Sequence, residues 1–203
     1  MKIAVLASGG GSNMQALAEY CPLALVLTNQ PGAGVLARAQ TRAIPTATID
    51  HRPYARDRAA HEAAIHRTLT QHGIELVCLA GYMRLLTPFL VQAWSGRMLN
   101  IHPSLLPAFP GLHTHARALA AGVKLHGCTV HRVTEIMDEG PILGQAAVPV
   151  LPSDTPETLA ARVLAQEHRL YPAVLRQIRD STSNWAAAGA ALLNPLPGPT
   201  TPA

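Results

Sequence analysis

Short apolar runs separated by glycine, proline or polar breaks recur along the first half of the chain, at residues 3–7, 23–27, 46–49, 75–80 and 98–101. Runs of this length and apolarity predict strands buried on both faces of a sheet. Residues 14–18, 34–42, 55–72 and 88–94 lie between them and carry helical patterning, with Gly73 placed to end the third helix. Ser12 followed by Gln15 matches a capping box for the first helix. Strands alternating with helices predict a mostly parallel sheet with helices on both faces. Beyond a short helix at 114–121, closed by Gly122, the pattern changes. Residues 126–133 and 142–150 are β-rich, and only the turn cluster Met137-Asp138-Glu139-Gly140-Pro141 separates them, which leaves no room for a crossover helix. These two strands are therefore expected to pair antiparallel. Ser153-Asp154-Thr155-Pro156-Glu157 opens a last helix, whose apolar stripe is Leu159, Val163, Leu170 and Val174. One α/β domain over 1–180 follows, with an Ala/Pro-rich tail over 181–203; the tail reads as a short helix at 185–193 and disorder at 195–203.

Composition narrows the function classes. Of 203 residues 48% are hydrophobic and only 14% charged, so core material is ample, and the net charge of +4 favours an anionic ligand only weakly. The basic residues form no run interleaved with aromatics, so no nucleic-acid partner is expected. No apolar run is long enough to span a membrane, and the chain opens on strand-like Lys2-Ile3-Ala4-Val5-Leu6 rather than a signal peptide. Cys21, Cys78 and Cys128 are widely spaced with no metal-ligand pattern, which fits a reducing cytoplasmic compartment. His61, His66 and His72 share no helical face well and read as a solvated helix surface rather than a metal site.

Four features carry candidate chemistry. Ser8-Gly9-Gly10-Gly11-Ser12-Asn13 stands between the first strand and the first helix. Glycines allow close approach of a ligand, and a helix start presents free N–H groups and a positive dipole end, so a phosphate site is favoured over a plain βα turn. The dinucleotide-binding fingerprint does not fit, because its third glycine is missing. Asn100 and His102 alternate with Leu99 and Ile101, so on a strand they point into one space, just before a loop interrupted by Pro103, Pro107 and Pro110. A catalytic pair and a polar strand end both explain them. Asp138 lies in the turn cluster, and by residue type alone it is better read as a turn former than as a partner for an imidazole. Glu167 lies beside apolar positions of the last helix, able to face a ligand but more ordinarily placed on the helix flank.

Taken together, the blocks Ala7-Ser8-Gly9-Gly10-Gly11-Ser12-Asn13-Met14-Gln15-Ala16, Ala80-Gly81-Tyr82-Met83-Arg84, Leu99-Asn100-Ile101-His102-Pro103-Ser104-Leu105-Leu106-Pro107, Pro110-Gly111-Leu112-His113-Thr114-His115 and Val130-His131-Arg132-Val133 through Asp138-Glu139-Gly140-Pro141-Ile142 resemble the phosphoribosylglycinamide formyltransferases of purine biosynthesis. Gln166-Glu167-His168 and Tyr171-Pro172 continue the likeness, which covers essentially residues 1–178 in order. The resemblance implies a Rossmann-like formyltransferase fold. It also implies direct attack of the amine of phosphoribosylglycinamide on the formyl carbon of 10-formyltetrahydrofolate, with no metal. It assigns Asn100 to the oxyanion, His102 to charge stabilisation and proton transfer, and Asp138 to orienting His102 and favouring its charged form. It further implies nucleotide contacts at Gly11, Ser12, Asn13, Leu164, Ala165, Gln166 and Glu167. Folate contacts are implied at Arg58, Met83, Arg84, Leu85, Leu86 and Asn100, and along Thr134, Glu135, Ile136, Met137 and Asp138. Both partners are small molecules, and the chain is expected as a monomer or homodimer.

The sequence departs from the family at Tyr82, where Phe is common, and at Cys128-Thr129, which replace a Thr-Ser pair and touch on a hydroxyl contact. The connection before Leu23 is short, and the tail after Asp180 has no match. A formyltetrahydrofolate hydrolase shares the Asn-His-Asp set, but such proteins carry a preceding regulatory domain, whereas here the first strand starts at Lys2. Methionyl-tRNA formyltransferase would need a C-terminal RNA-binding domain. A non-catalytic nucleotide-binding module accounts for the glycine loop but not for the His102 and Asp138 blocks, and a Rossmann oxidoreductase fails on the incomplete fingerprint.

Overall fold

In the computed structural model, which describes residues 1–180 and the backbone of Leu192–Leu193, the apolar runs become neighbouring strands of a single sheet. The strands are β1 (Ile3–Leu6), β2 (Leu25–Thr28), β3 (Thr46–Thr48), β4 (Leu76–Leu79), β5 (Met98–His102), β6 (Leu125–Arg132), β7 (Ile142–Pro149) and β8 (Leu192–Leu193), in the spatial order β3-β2-β1-β4-β5-β6-β7-β8. From β3 to β5 every pairing is parallel, whereas β6 pairs antiparallel with both β5 and β7; the missing crossover predicted the second of these antiparallel pairings.

The helices are α1 (Ser12–Tyr20), α2 (Gly34–Gln40), α3 (Arg58–Gln71), α4 (Pro88–Ala93), α5 (Thr114–Ala120) and α6 (Pro156–Asp180). They cover both faces. Ile3, Val5, Leu76, Cys78, Leu99 and Ile101 pack with α1, α2, α5 and α6, while Ala4, Leu6, Val77, Leu79 and Met98 pack with α3 and α4. Burial on both sides is why these strands are continuously apolar. The stripe of α6 is buried as expected, and each fully buried Leu or Val there contributes roughly 1.5–3 kcal/mol. Tyr171 on α6 is fully buried, and its hydroxyl lies 3.1 Å from the carbonyl of Leu79 and 3.3 Å from that of Leu99, pinning the helix across β4 and β5.

Three local expectations change. The Ser12–Gln15 capping box does not form: the helix begins at Ser12 itself, left-handed Gly11 (φ 80°) takes the cap position, and no side chain caps the start. Gln15 instead accepts a hydrogen bond from Arg38. The α3 helix starts at Arg58, not at residue 55, because Asp57 caps it by accepting from the backbone N–H of Ala60 at 2.9 Å, while Arg52–Tyr54 forms a separate 3-10 turn. His61 is not on a solvated surface. It is buried, with Nε2 2.9 Å from the carbonyl of Ile49 and its ring edge-on to Tyr54, because the 3-10 turn folds over it.

Within the tail, Leu192–Leu193 is extended rather than helical and pairs parallel with Gly144 and Gln145 of β7, satisfying an otherwise open sheet edge. The remainder of the expected 185–193 helix and the expected disorder at 195–203 lie outside the described residues. Among the described residues, no helix is long and apolar enough to cross a membrane.

Candidate functional site

The strand order reverses between β1 and β4, and open α/β sheets place ligands at the carboxyl ends of the strands beside such a reversal. The candidate residues gather there. Asn100 and His102 share one face of β5, as their alternation predicted, and β6 brings His131 opposite Asn100. The Nε2 of His131 is 3.2 Å from the Asn100 amide nitrogen.

Asp138 is placed by the β6–β7 connection. Its backbone is left-handed (φ 60°), a conformation that Asp tolerates better than most residues, and its side chain is only 8% exposed. The carboxylate oxygen Oδ2 accepts from the Gly111 N–H at 2.8 Å and lies 3.5 Å from His102 Nδ1. The reading of Asp138 as only a turn former is therefore corrected: the turn aims its carboxylate at the imidazole. The other ring nitrogen of His102, Nε2, is 3.1 Å from the Phe109 carbonyl. Both nitrogens thus face oxygen acceptors, an arrangement that a doubly protonated ring satisfies at both positions. At 3.5 Å the carboxylate faces the ring nitrogen at a distance longer than a tight hydrogen bond.

The proline-rich loop after β5 is braced from β6 and β7. The Thr129 hydroxyl donates to the Ser104 carbonyl at 2.7 Å and accepts from the Leu106 N–H at 3.0 Å. The Gln145 amide donates to the Leu106 carbonyl at 2.7 Å, and the Thr114 hydroxyl to the Pro103 carbonyl at 2.7 Å. The Cys128-Thr129 departure therefore keeps a working hydroxyl.

At the glycine loop, Gly11 accepts the Gln15 N–H at 3.1 Å, and the uncapped start of α1 leaves the first N–H groups of the helix without intrahelical partners. A Cβ on Gly11 would stand 2.5–2.9 Å from side-chain and backbone atoms of Val35, so only glycine lets the loop pack against α2. Asn13 and Glu167 meet here although 154 positions apart: the Asn13 amide donates to Glu167 Oε2 at 2.7 Å, and both side chains are buried. The helix-flank reading of Glu167 is thus corrected, because α6 packs directly on α1. Of its neighbours, Leu164 and Gln166 are half-buried and Ala165 is exposed.

Burial raises the Glu167 carboxyl above its ordinary value, with the Asn13 hydrogen bond opposing. A carboxyl raised in the folded state destabilises progressively as pH climbs from its unfolded value through its folded one. Glu167→Gln keeps an acceptor for Asn13 and removes the buried charge. It is expected to raise the Tm at pH 8, with the gain shrinking toward pH 4; thermal unfolding at the two pH values checks this, and an equal shift at both would refute it.

The segment after β4 is anchored by Ser8. The Met83 N–H donates to the Ser8 hydroxyl at 2.8 Å, and that hydroxyl donates to Asn29 Oδ1 at 2.6 Å. Met83, Arg84 and Leu85 line a cleft of about 510 Å³ together with Ala55, Arg56 and Arg58, so Arg58 does reach the neighbourhood of residues 83–86. Leu86 packs on the α3/α4 side of the core. Along the β6–β7 connection, Thr134, Ile136 and Met137 are exposed, and Glu135 accepts from Gln92 at 2.7 Å.

Sequence reasoning missed His131, Ser8 and Asn29 as members of the site. His131 had a partial signal, since it alternates with Thr129 on an expected strand, but that this strand lies beside β5 came only from the structure. Ser8 opens the glycine block but nothing local marked its bonds to Met83 and Asn29, and nothing marked Asn29; these roles arise from contacts between strand ends. Among the described residues, no three His, Cys, Asp or Glu side chains form a group able to hold a metal ion.

The chain is similar to the phosphoribosylglycinamide formyltransferase of Bacillus subtilis (strain 168), 44% identical, with 87% of this chain and 94% of that protein covered. It is also similar to the trifunctional purine biosynthetic protein adenosine-3 of Gallus gallus, 43% identical over 93% of this chain, but it spans only 19% of that longer protein. A crystal structure of phosphoribosylglycinamide formyltransferase from Brucella melitensis superimposes with a TM-score of 0.83 at 53% identity, covering 88% of this chain and 95% of that one. The family described as Formyl transferase matches residues 1–175, most of the chain and every residue of the candidate site, and the chain therefore belongs to the formyl transferase family.

Proposed function

We propose that this chain transfers the formyl group of 10-formyltetrahydrofolate to the amine of phosphoribosylglycinamide, a step in purine biosynthesis. The observation that carries the reading is the convergence of Asn100, His102 and Asp138 at the end of β5, with His102 Nδ1 3.5 Å from the Asp138 carboxylate. The uncapped helix start at Ser12 supplies the place for the nucleotide phosphate, and Glu167 beside Asn13 a carboxylate for polar groups of the nucleotide.

The chemistry is acyl transfer. The amine nitrogen bonds to the formyl carbon, and the carbonyl electron pair moves onto oxygen. The Asn100 amide donates to that oxyanion, and the His102 imidazolium stabilises the same charge. On collapse the carbon–nitrogen bond to the folate breaks, and the proton lost by the attacking amine goes to the departing folate nitrogen, with His102 as carrier. Asp138 keeps the ring oriented and offsets its positive charge. No covalent enzyme intermediate and no metal are part of this reading. The pteridine end of the folate lies among Met83–Leu86 and Thr134–Asp138, with Arg58 toward its anionic tail.

The test is an assay of the purified chain with both substrates, following formylated nucleotide and tetrahydrofolate together. Equal formation of the two is the expected result. Loss of the formyl group to water without acceptor formylation overturns the reading in favour of a hydrolase.

Asp138→Asn is expected to lower kcat by about 100-fold while leaving KM for the nucleotide within about threefold. The amide still accepts from Gly111, so the loop stays in place, but the charge facing His102 is gone. Steady-state kinetics with both substrates varied checks this, and an unchanged kcat removes Asp138 from the chemistry.

A further inference from the structure

We infer that His131 is a positioning residue for the transfer: its Nε2 holds the Asn100 carboxamide by the nitrogen, so that the second N–H of that nitrogen is the donor offered to the formyl oxygen. The inference rests on the formyl-transfer reading above and adds a residue that the reading does not use.

His131 Nδ1 lies 2.9 Å from the carbonyl oxygen of Arg132. A carbonyl only accepts, so Nδ1 carries the proton. A neutral ring has one N–H, which leaves Nε2 as a bare acceptor. The nearest polar atom to it is the Asn100 amide nitrogen at 3.2 Å, and an amide turned the other way would set its oxygen against that lone pair. His131 therefore selects one of two otherwise similar orientations of Asn100.

The alternative is a charged ring that donates from Nε2 to Asp138, whose Oδ1 is 3.8 Å away, beyond hydrogen-bond reach. The charged groups facing His131 are Asp138 from the β6–β7 connection and His102 from β5. Burial disfavours the charged ring most strongly, His102 disfavours it as well, and only Asp138 and the Arg132 carbonyl favour it. The other carboxylate oxygen, Oδ2, is the one that accepts from the Gly111 N–H and faces His102. The four polar side chains thus form two pairs: Asp138 serves His102, and His131 serves Asn100.

The test uses His131→Leu, which has no acceptor, and His131→Gln, whose Oε1 restores one near the Nε2 position. The leucine variant is expected to lose about 10- to 100-fold in kcat with KM little changed, and the glutamine variant to recover most of that loss. In an Asn100→Ala background the leucine substitution should cost less than about twofold, since there is no longer an amide to orient. Additive losses in the double variant, or equal losses in the leucine and glutamine variants, overturn the inference and leave His131 a packing residue. Nitrogen-15 NMR of the histidine rings gives a readout independent of activity, with protonated Nδ1 and unprotonated Nε2 expected for His131. A protonated Nε2 overturns the inference even in an active enzyme. A wild-type chain that shows the expected tautomer but no formyl transfer overturns the function reading instead.

Discussion

His102→Ala is expected to lower kcat for formyl transfer by about 1,000-fold, while KM for each substrate changes by less than about fivefold. In the proposed mechanism the imidazole is the one group at the end of β5 given both charge stabilisation and proton transfer. Without it the amine proton must travel through water, and the oxyanion keeps only the Asn100 donor. The strand itself should survive. His102 pairs with Thr129 through its backbone, and Asp138 retains the Gly111 N–H as partner. The cost is an unfilled space and a less compensated buried carboxylate, together about 1–2 kcal/mol, or a few degrees in Tm for a domain of this size. Steady-state kinetics with circular dichroism separate the two effects, and near-normal turnover by a folded variant would remove His102 from the mechanism.

Gly140→Ala is expected to produce a comparably large loss by a different route. A Cβ at this position would stand 1.7 Å from the carbonyl oxygen and 2.8 Å from the carbonyl carbon of Arg132, the last residue of β6. Neither is a flexible side-chain end that can swing away. The Arg132 N–H also donates to the Pro141 carbonyl at 2.9 Å, so the connection is stitched to the strand on both sides of the clash. To admit a methyl group, the segment must lift from β6 and carry Asp138 away from His102. A displacement of about 1 Å at a catalytic group is enough to cost about 100-fold in rate. Because the disturbance is confined to one connection, the variant should remain folded, with a reduced Tm and kcat lowered far more than substrate affinity. A variant with wild-type kcat would show that the connection absorbs the methyl group without moving Asp138.

These two residues also show why parts of the site were legible before the fold and parts were not. The strand-by-strand alternation of apolar runs and helices predicted the parallel sheet. The lack of space between residues 133 and 142 predicted the antiparallel pair, which the structure bears out. The shared direction of Asn100 and His102 followed from the two-residue period of a strand, and it holds. Asp138 was different. Its residue type and its neighbours Glu139-Gly140-Pro141 say turn, which is true, but a turn can aim a carboxylate anywhere. The direction came from a left-handed backbone and from Gly140 lying against Arg132, both set by contact with β6. The capping box failed for a related reason. Ser12 and Gln15 have the right spacing, yet Gly11 is held in place by Val35 on α2, and the helix starts one residue earlier than the motif requires.

What the amino-acid sequence determined by itself was therefore local and periodic: which segments are strands or helices, which faces they bury, where a backbone can approach a ligand, and which polar side chains share a strand face. Chain-local sterics and hydrophobic periodicity suffice for these. What the tertiary structure alone decided was every relation across distant segments: Asn13 against Glu167, Ser8 under Met83, Asp138 beside His102, and His131 on the Asn100 amide. Each of these depends on strand order and on the packing of α6 over α1, which no local pattern encodes. Residue types are set one position at a time, whereas the direction of a hydrogen bond is a property of two positions held rigidly by a shared core.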